Sequence, residues 1–197
     1  MEVGQEFVNI GWSLKGGLPY QAWARDLVKE RMAQDGRDDP ASRCLPGGVV
    51  KMHTTPLFRK IVQLPGALII LYERNATFRQ IFTDGRGLPT VINLPTENGF
   101  STGKWEGDTL VVQTTGFRDG LWLDRSGNPL TEAAKLTERF HRVNFGKLEI
   151  ELTVDDPKAY TAPWTVKLTH SIKLDTELVD YICLENEKDQ THLVRDK

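Results

Sequence analysis

The sequence predicts a mainly β chain, an antiparallel meander forming a barrel or a strongly curved sheet, with one N-terminal amphipathic helix. Three observations predict it. Between Arg59 and Asn186, short runs place an apolar residue at every second position, the period that turns one face of a strand inward and the other outward. Most of these runs are joined by Gly, Pro, Asn or Asp turns of hairpin length. No strand run alternates with helical segments at βαβ spacing, so sequence neighbours pair with one another and the sheet must curl around a core or pocket. The outline is lipocalin-like, with a two-sheet sandwich as the alternative.

The elements follow in order along a single domain, residues 1–197. Residues 1–17 read as an arm ending in Gly16 and Gly17. A helix is expected over 19–34. Pro19 suits a first helical position, and Tyr20, Trp23, Ala24, Leu27 and Val28 form one apolar stripe. Gly36 can end the helix in the left-handed conformation. Such a helix would plug a barrel end or pack on the sheet. Residues 37–56, rich in Pro, Gly, Asp and Thr, read as a long loop, and loops of that length are usually functional or pinned.

The barrel or curved sheet spans 58–186. Runs at 58–64 and 67–73 flank the turn pair Pro65-Gly66, and 77–83 ends at Asp84-Gly85. Runs at 100–106 and 109–115 flank Gly107-Asp108, and 135–143 and 147–154 flank Asn144-Phe145-Gly146. A second long loop occupies 117–131. Runs at 164–174 and 177–186 form the expected last hairpin, and 187–197 is a charged tail.

Composition excludes several function classes. The chain has 25 Lys and Arg against 27 Asp and Glu, with the basic residues scattered, so no electrostatic case exists for a nucleic-acid or anionic-membrane partner. No apolar run approaches the roughly 18 residues of a membrane-spanning helix. Residues 1–10 carry no basic start and no apolar stretch of a signal peptide, although a mature form that has lost its leader would look the same. The two cysteines, Cys44 and Cys183, are far apart and form no CxxC. Two buried thiols and one disulfide are both open readings.

The alternation sorts the polar residues. Glu149 and Glu151 share the polar face of 147–154 and read as surface charge. The run 67–73 is apolar on both faces, which predicts cover on both sides and leaves Glu73 at the end of a buried strand with Tyr72 beside it. A buried carboxylate must be paired or protonated. Glu73 is therefore either an acid–base group or the structural partner of Arg79 or Arg74. Arg79, among apolar neighbours, suits bidentate capture of a carboxylate or phenolate. Asp84 sits at a strand mouth, as a ligand group or as a plain turn residue. Glu138 stands in a run with no cleanly apolar face, so it lines a polar cavity or belongs to an edge charge ladder. Trp105 is one of several aromatics near strand ends that would cap a core or wall a pocket.

Four histidines are present, His53, His141, His170 and His192. None has HxH or HExxH spacing, so no metal site is expected. His170 reads as a core or pocket histidine. His53, in the long loop leading to the sheet, is placed for a base reaching into a barrel mouth. No GxSxG, GxGxxG or Walker motif occurs, so no cofactor is expected.

Several segments resemble a family of largely uncharacterised bacterial proteins that are often exported. The matching stretches include RQIFTDGR at 79–86, GKWEGDTLVV at 103–112, DDPKAY at 155–160, GLPYQAW at 17–23, ILYE at 70–73 and CLEN at 183–186. The resemblance spans nearly the whole chain. It implies a periplasmic or secreted location, in place of the cytoplasmic one otherwise read. It also implies a Cys44–Cys183 bridge, and it singles out Glu73, Arg79, Asp84, Arg86, Glu106 and Glu185.

The functional expectation is a cofactor-independent enzyme acting on a small aromatic or apolar molecule in a barrel pocket. General acid–base chemistry of lyase, isomerase, cyclase or hydrolase type would run on Glu73, His53 and Glu185. Arg79, Tyr72, Asp84, Glu138 and Trp105 would bind the ligand. The alternative is a lipocalin-like small-molecule binding protein.

Overall fold

The structure is a computed structural model that describes residues 4–185. The expected tail and His192 lie outside the described residues. Eight strands form one mixed sheet curled into a half-barrel. They are β1 (Arg59–Leu64), β2 (Ala67–Tyr72), β3 (Phe78–Phe82), β4 (Phe100–Glu106), β5 (Thr109–Thr115), β8 (Lys135–Asn144), β9 (Lys147–Asp155) and β10 (Trp164–Ser171), in that order across the sheet. The second long loop contains a separate ribbon, β6 (Leu121–Trp122) with β7 (Pro129–Leu130).

The meander is antiparallel with one exception. β3 and β4 run parallel, through Ile81–Ser101 and Phe82–Thr102 only. A parallel neighbour needs a crossover connection, which a two-residue turn cannot supply. The loop at 83–99, with Pro89 and Pro95, carries the chain back to start β4 in the same direction as β3.

Alternation governs burial as expected. Along β9, Ile150, Leu152 and Val154 are buried while Glu151 and Asp155 are exposed. β2 departs from expectation, because Leu71 is exposed and only the face with Leu68, Ile70 and Tyr72 is fully covered. Apolar side chains are common on protein surfaces, so an all-apolar run does not prove cover on both sides.

The helices are α1 (Gln5–Val8), α2 (Ala22–Ala33) and α3 (Gly48–Thr54). α2 is the expected amphipathic helix, shorter at its start because Pro19, Tyr20 and Gln21 pair instead with the β9–β10 connection. Gln21 N–H donates to Ala159 O at 2.8 Å, and Thr161 N–H to Pro19 O at 2.7 Å. Of the predicted stripe only Ala24 and Val28 are fully buried. Trp23 is half-exposed, with its indole N–H on Lys158 O. Gly36, at φ +68°, closes the helix with its N–H on Arg31 O.

The expected loop at 37–56 contains instead a 3₁₀ turn, Pro40–Arg43, and α3. α3 fills the concavity of the sheet. Its Val49, Val50 and Met52 join the single core cluster with Ile70, Ile81, Val112, Leu136, Ile150 and Leu168. Residues Gly48 to His53 are all buried, Lys51 and His53 included, so this helix has no solvent-exposed face to betray its period. A helix of seven residues is too short to persist alone and forms because it is packed. Gly48 is required at its start: φ is +71°, and a Cβ there would meet Glu97 O at 2.9 Å.

The last expected hairpin is replaced. β10 ends at Ser171, and 177–185 form no strand. That segment crosses the β2–β3 turn, making one bridge between Arg74 and Tyr181. Asn75 N–H donates to Tyr181 O at 2.6 Å, and Cys183 N–H to Asn75 Oδ1 at 3.1 Å. Cys44 and Cys183 are bonded to each other. The disulfide therefore draws the chain toward the 40–44 turn and away from a return along β10. Among the described residues no helix is long and apolar enough to cross a membrane.

Candidate functional site

The inner face of the half-barrel carries a buried ionic cluster. Register sets its members. Arg79 on β3, Ser101 on β4, Thr114 on β5 and Glu138 on β8 all project toward the core, in parity with the buried Ile81, Val112, Leu136 and Phe140 of β3, β5 and β8. Glu138 is 0% exposed and Arg79 and His53 2% each, so these charges must satisfy one another.

They do. Arg79 Nη1 donates to Glu138 Oε1 at 2.9 Å and Nη2 to Oε2. Arg79 Nη2 also donates to Thr114 Oγ1 at 2.9 Å, and Nε to Ser101 Oγ at 3.2 Å. On its other side, Glu138 Oε1 accepts from His53 Nε2 at 2.6 Å. His53 is carried by α3, and its Nδ1 accepts from Arg59 Nη1 of β1 at 3.3 Å. Arg59 Nη2 holds the His53 carbonyl at 2.9 Å. The His170 ring of β10 lies 6.2 Å from that of His53, and Phe140 stands edge-on to His53 at 5.9 Å. α3 thus presents His53 to both edge strands, β1 and β10, at the seam between the two edges of the half-barrel.

The electrostatics follow from burial and pairing. Burial alone would raise the Glu138 carboxyl, but Arg79 and then His53 overcome it and hold the group down to about 2. Burial would lower Arg79, and the Glu138 carboxylate reverses that, leaving it raised. Burial pushes His53 down against the opposing pull of Glu138, so its ring stays neutral near pH 7. The Tyr72 phenol is raised by burial. Arg79 lies close enough to favour its charged form, yet the hydroxyl has no hydrogen-bond partner of ordinary geometry among the described residues. The same holds for His170 Nε2.

His170 is pushed down to about 3 by burial, then by the neighbouring Arg59 charge and by competition with His53 for a proton. Unfolded, it would titrate near 6.5. The folded state therefore disfavours its proton. Stability is present in full above pH 6.5 and is lost as the pH falls toward 3, by roughly 4–5 kcal/mol for this group. Urea midpoints measured from pH 7 to 3 should fall more steeply in the native chain than in His170→Gln. Equal slopes would show that His170 is not held neutral.

The predicted site residues separate into two sets. His53, Arg79, Glu138 and Tyr72 meet in this cluster. The others do not. Glu73 is buried beyond the end of β2, where its carboxylate accepts from Phe58 N–H at 3.2 Å and Val179 N–H at 3.4 Å. The expected pairing of Glu73 with Arg79 is replaced by Glu138 with Arg79, because Arg79 lies across from Ile70 in the register and Glu73 is past the paired residues. Asp84 is an exposed partner of Arg86. Glu185 is exposed, and Trp105 emerges at the far end of β4, also exposed. Glu138 belongs to no edge ladder, since β8 lies between β5 and β9.

Sequence reasoning missed Arg59, Ser101 and Thr114, and took His170 only as a core or pocket residue. The parity of Arg59 with Ile61 in one alternating run was the available signal. Nothing local marked Ser101 or Thr114. Comparison with protein-family models, with curated proteins and with solved structures finds no match for this chain.

Proposed function

We propose that this chain is a cofactor-independent enzyme that moves a proton on a small molecule seated at the seam between β1 and β10, with His53 as the base. The observation that carries this reading is the Tyr72 hydroxyl, buried beside the His53–Glu138 pair and without a partner among the described residues. A buried hydroxyl left unpaired is costly unless a ligand or water completes it.

Each group has a role. Glu138 accepts from Nε2, which leaves the lone pair of His53 at Nδ1. Burial keeps the ring neutral, the form a base needs. Arg59 turns its guanidinium to a carboxylate or phenolate of the substrate and so vacates Nδ1. Nδ1 takes a proton from a substrate carbon or from water. Tyr72, kept protonated by burial, donates one to the developing oxyanion or leaving group. Arg79 touches no substrate and positions Glu138. Phe140 favours an aromatic or apolar substrate body. A lyase, isomerase, cyclase or hydrolase step fits this arrangement.

A second reading is a lipocalin-like binding protein. In it, Arg59 and the Tyr72 hydroxyl, unpartnered among the described residues, would hold a ligand at the seam without moving a proton, since the concavity itself is filled by Val49, Val50 and Met52. An exported location fits either reading, supported by the Cys44–Cys183 disulfide, since such bonds persist in oxidising compartments.

A panel of small carboxylic acids and ketones incubated in D₂O, followed by proton NMR, separates the two. The enzyme reading expects loss of an acidic C–H signal for at least one compound. His53→Gln, which retains a donor for Glu138, should slow that exchange by about 10²–10⁴-fold. Binding without exchange would replace the enzyme with the carrier. Absence of both would remove the seam as a site.

A further inference from the structure

On the outer face of the sheet, turned away from His53, β3 and β4 part. They pair only through Ile81–Ser101 and Phe82–Thr102. Toward the start of β3 the strands are joined instead by the Asn98 side chain, whose Nδ2 donates to Phe78 O at 3.3 Å. The split opens a cleft of about 500 Å³, within the size range of small-molecule sites. Alternation builds its walls. Phe78 and Phe82 lie opposite in parity to Arg79, and Phe100 opposite to Ser101. Arg79 and Ser101 therefore offer only backbone to the cleft, while their side chains reach through to Glu138 and Thr114.

Phe78 is 57% exposed and Phe100 37%. Exposed aromatic rings converging on one concave patch are a mark of a binding surface. Pro89 from the 83–99 loop adds to the apolar wall. One side is closed by Arg86, whose guanidinium stacks 3.9 Å from the Phe82 ring centroid. Asp84 holds Arg86 through Nε at 2.9 Å and Nη2 at 2.6 Å. Among the described residues, Arg86 Nη1 makes no hydrogen bond. A stacked, pre-oriented guanidinium with a free N–H at the edge of an aromatic cleft is built to meet a planar acceptor.

We infer that this cleft is a second small-molecule site, which takes a flat aromatic anion. The rings lie between Phe78 and Phe100, and the carboxylate or phenolate oxygen accepts from Arg86 Nη1. Aromatic walls favour offset or edge contacts with a flat guest. The Arg86–Asp84 pair lies at the surface, so the ligand displaces water from Nη1 without breaking it. The site is independent of the seam and of any reaction there.

The test uses 2-naphthoate and its neutral counterpart 2-naphthamide, titrated by calorimetry and by amide NMR against the whole chain. Both should saturate one site, with shifts centred on residues 78–82 and 98–102. Phe78→Ser, a change at an exposed ring, should weaken both at least about tenfold. Arg86→Gln should weaken naphthoate about tenfold and naphthamide less than about twofold. The inference fails if neither probe saturates at millimolar concentration, if the shifts map elsewhere, or if Arg86→Gln leaves naphthoate unchanged. Near-UV circular dichroism reports that the variants remain folded, and the native-chain mapping stands without them.

Discussion

Arg79→Ala is expected to destabilise the fold by about 3–5 kcal/mol, the cost of leaving a buried charge without its partner. Glu138 is wholly enclosed, and Arg79 supplies two of its three side-chain hydrogen bonds. Removing the guanidinium also strips the donor from Ser101 and Thr114, which would then have only each other, at 3.0 Å. Arg79→Lys should recover little. One ammonium cannot span a carboxylate and two hydroxyls that the planar fork reaches together. A paired replacement, Arg79→Met with Glu138→Leu, should regain most of the loss, because it removes both charges from the core and not one. Urea unfolding midpoints of the three variants decide the matter. If Arg79→Ala melts within about 1 kcal/mol of the native chain, the ionic cluster does not organise the interior.

Opening the Cys44–Cys183 bridge should cost about 2–4 kcal/mol. The bond closes a loop whose ends are 139 residues apart, so breaking it releases considerable chain entropy in the unfolded state. The segment it holds has few other attachments. Residues 177–185 form no strand and rely on the Arg74–Tyr181 bridge, the contacts of Asn75 and the hydrogen bond from Val179 to Glu73. In Cys44→Ser with Cys183→Ser, the urea midpoint should drop and amide exchange should rise first at 179–183. It should then rise at the β2–β3 turn, where Asn75 Nδ2 also donates to Cys44 O at 3.0 Å. The reduced native chain should behave the same way. Coincident midpoints for oxidised and reduced protein would show the bridge to be thermodynamically idle.

Strand positions were readable because each inward residue must avoid water, and the alternation records that demand residue by residue. The runs at 58–64, 67–73, 77–83, 100–106 and 109–115 differ from β1 to β5 by a residue at most at either end. α2 was readable for the same reason at a different period. α3 was not: a helix buried on all sides writes no period into its seven residues. The run at 177–186 alternates well enough for a strand, yet a covalent bond to Cys44 and the side chain of Asn75 compete for the same backbone. Local pattern carries no record of such a contest.

The site was half legible. Parity placed Arg79 and Tyr72 among apolar neighbours, and the mixed face of 135–143 flagged Glu138. It could not tell which carboxylate Arg79 would meet. Glu73 and Glu138 were equally plausible in one dimension. The curl of the sheet chose Glu138 by bringing β3, β5 and β8 around one interior, and left Glu73 capping backbone at a strand end.

By itself, then, the order of residues determined which side chains turn inward, where most strands begin and end, and that charge had to be buried with them. The tertiary structure alone decided the pairing of those charges, the parallel join of β3 to β4, and the seating of His53 between Glu138 and Arg59. Period and parity are properties of neighbours along the chain, whereas an ion pair is chosen by distance in space between strands that the sequence keeps far apart.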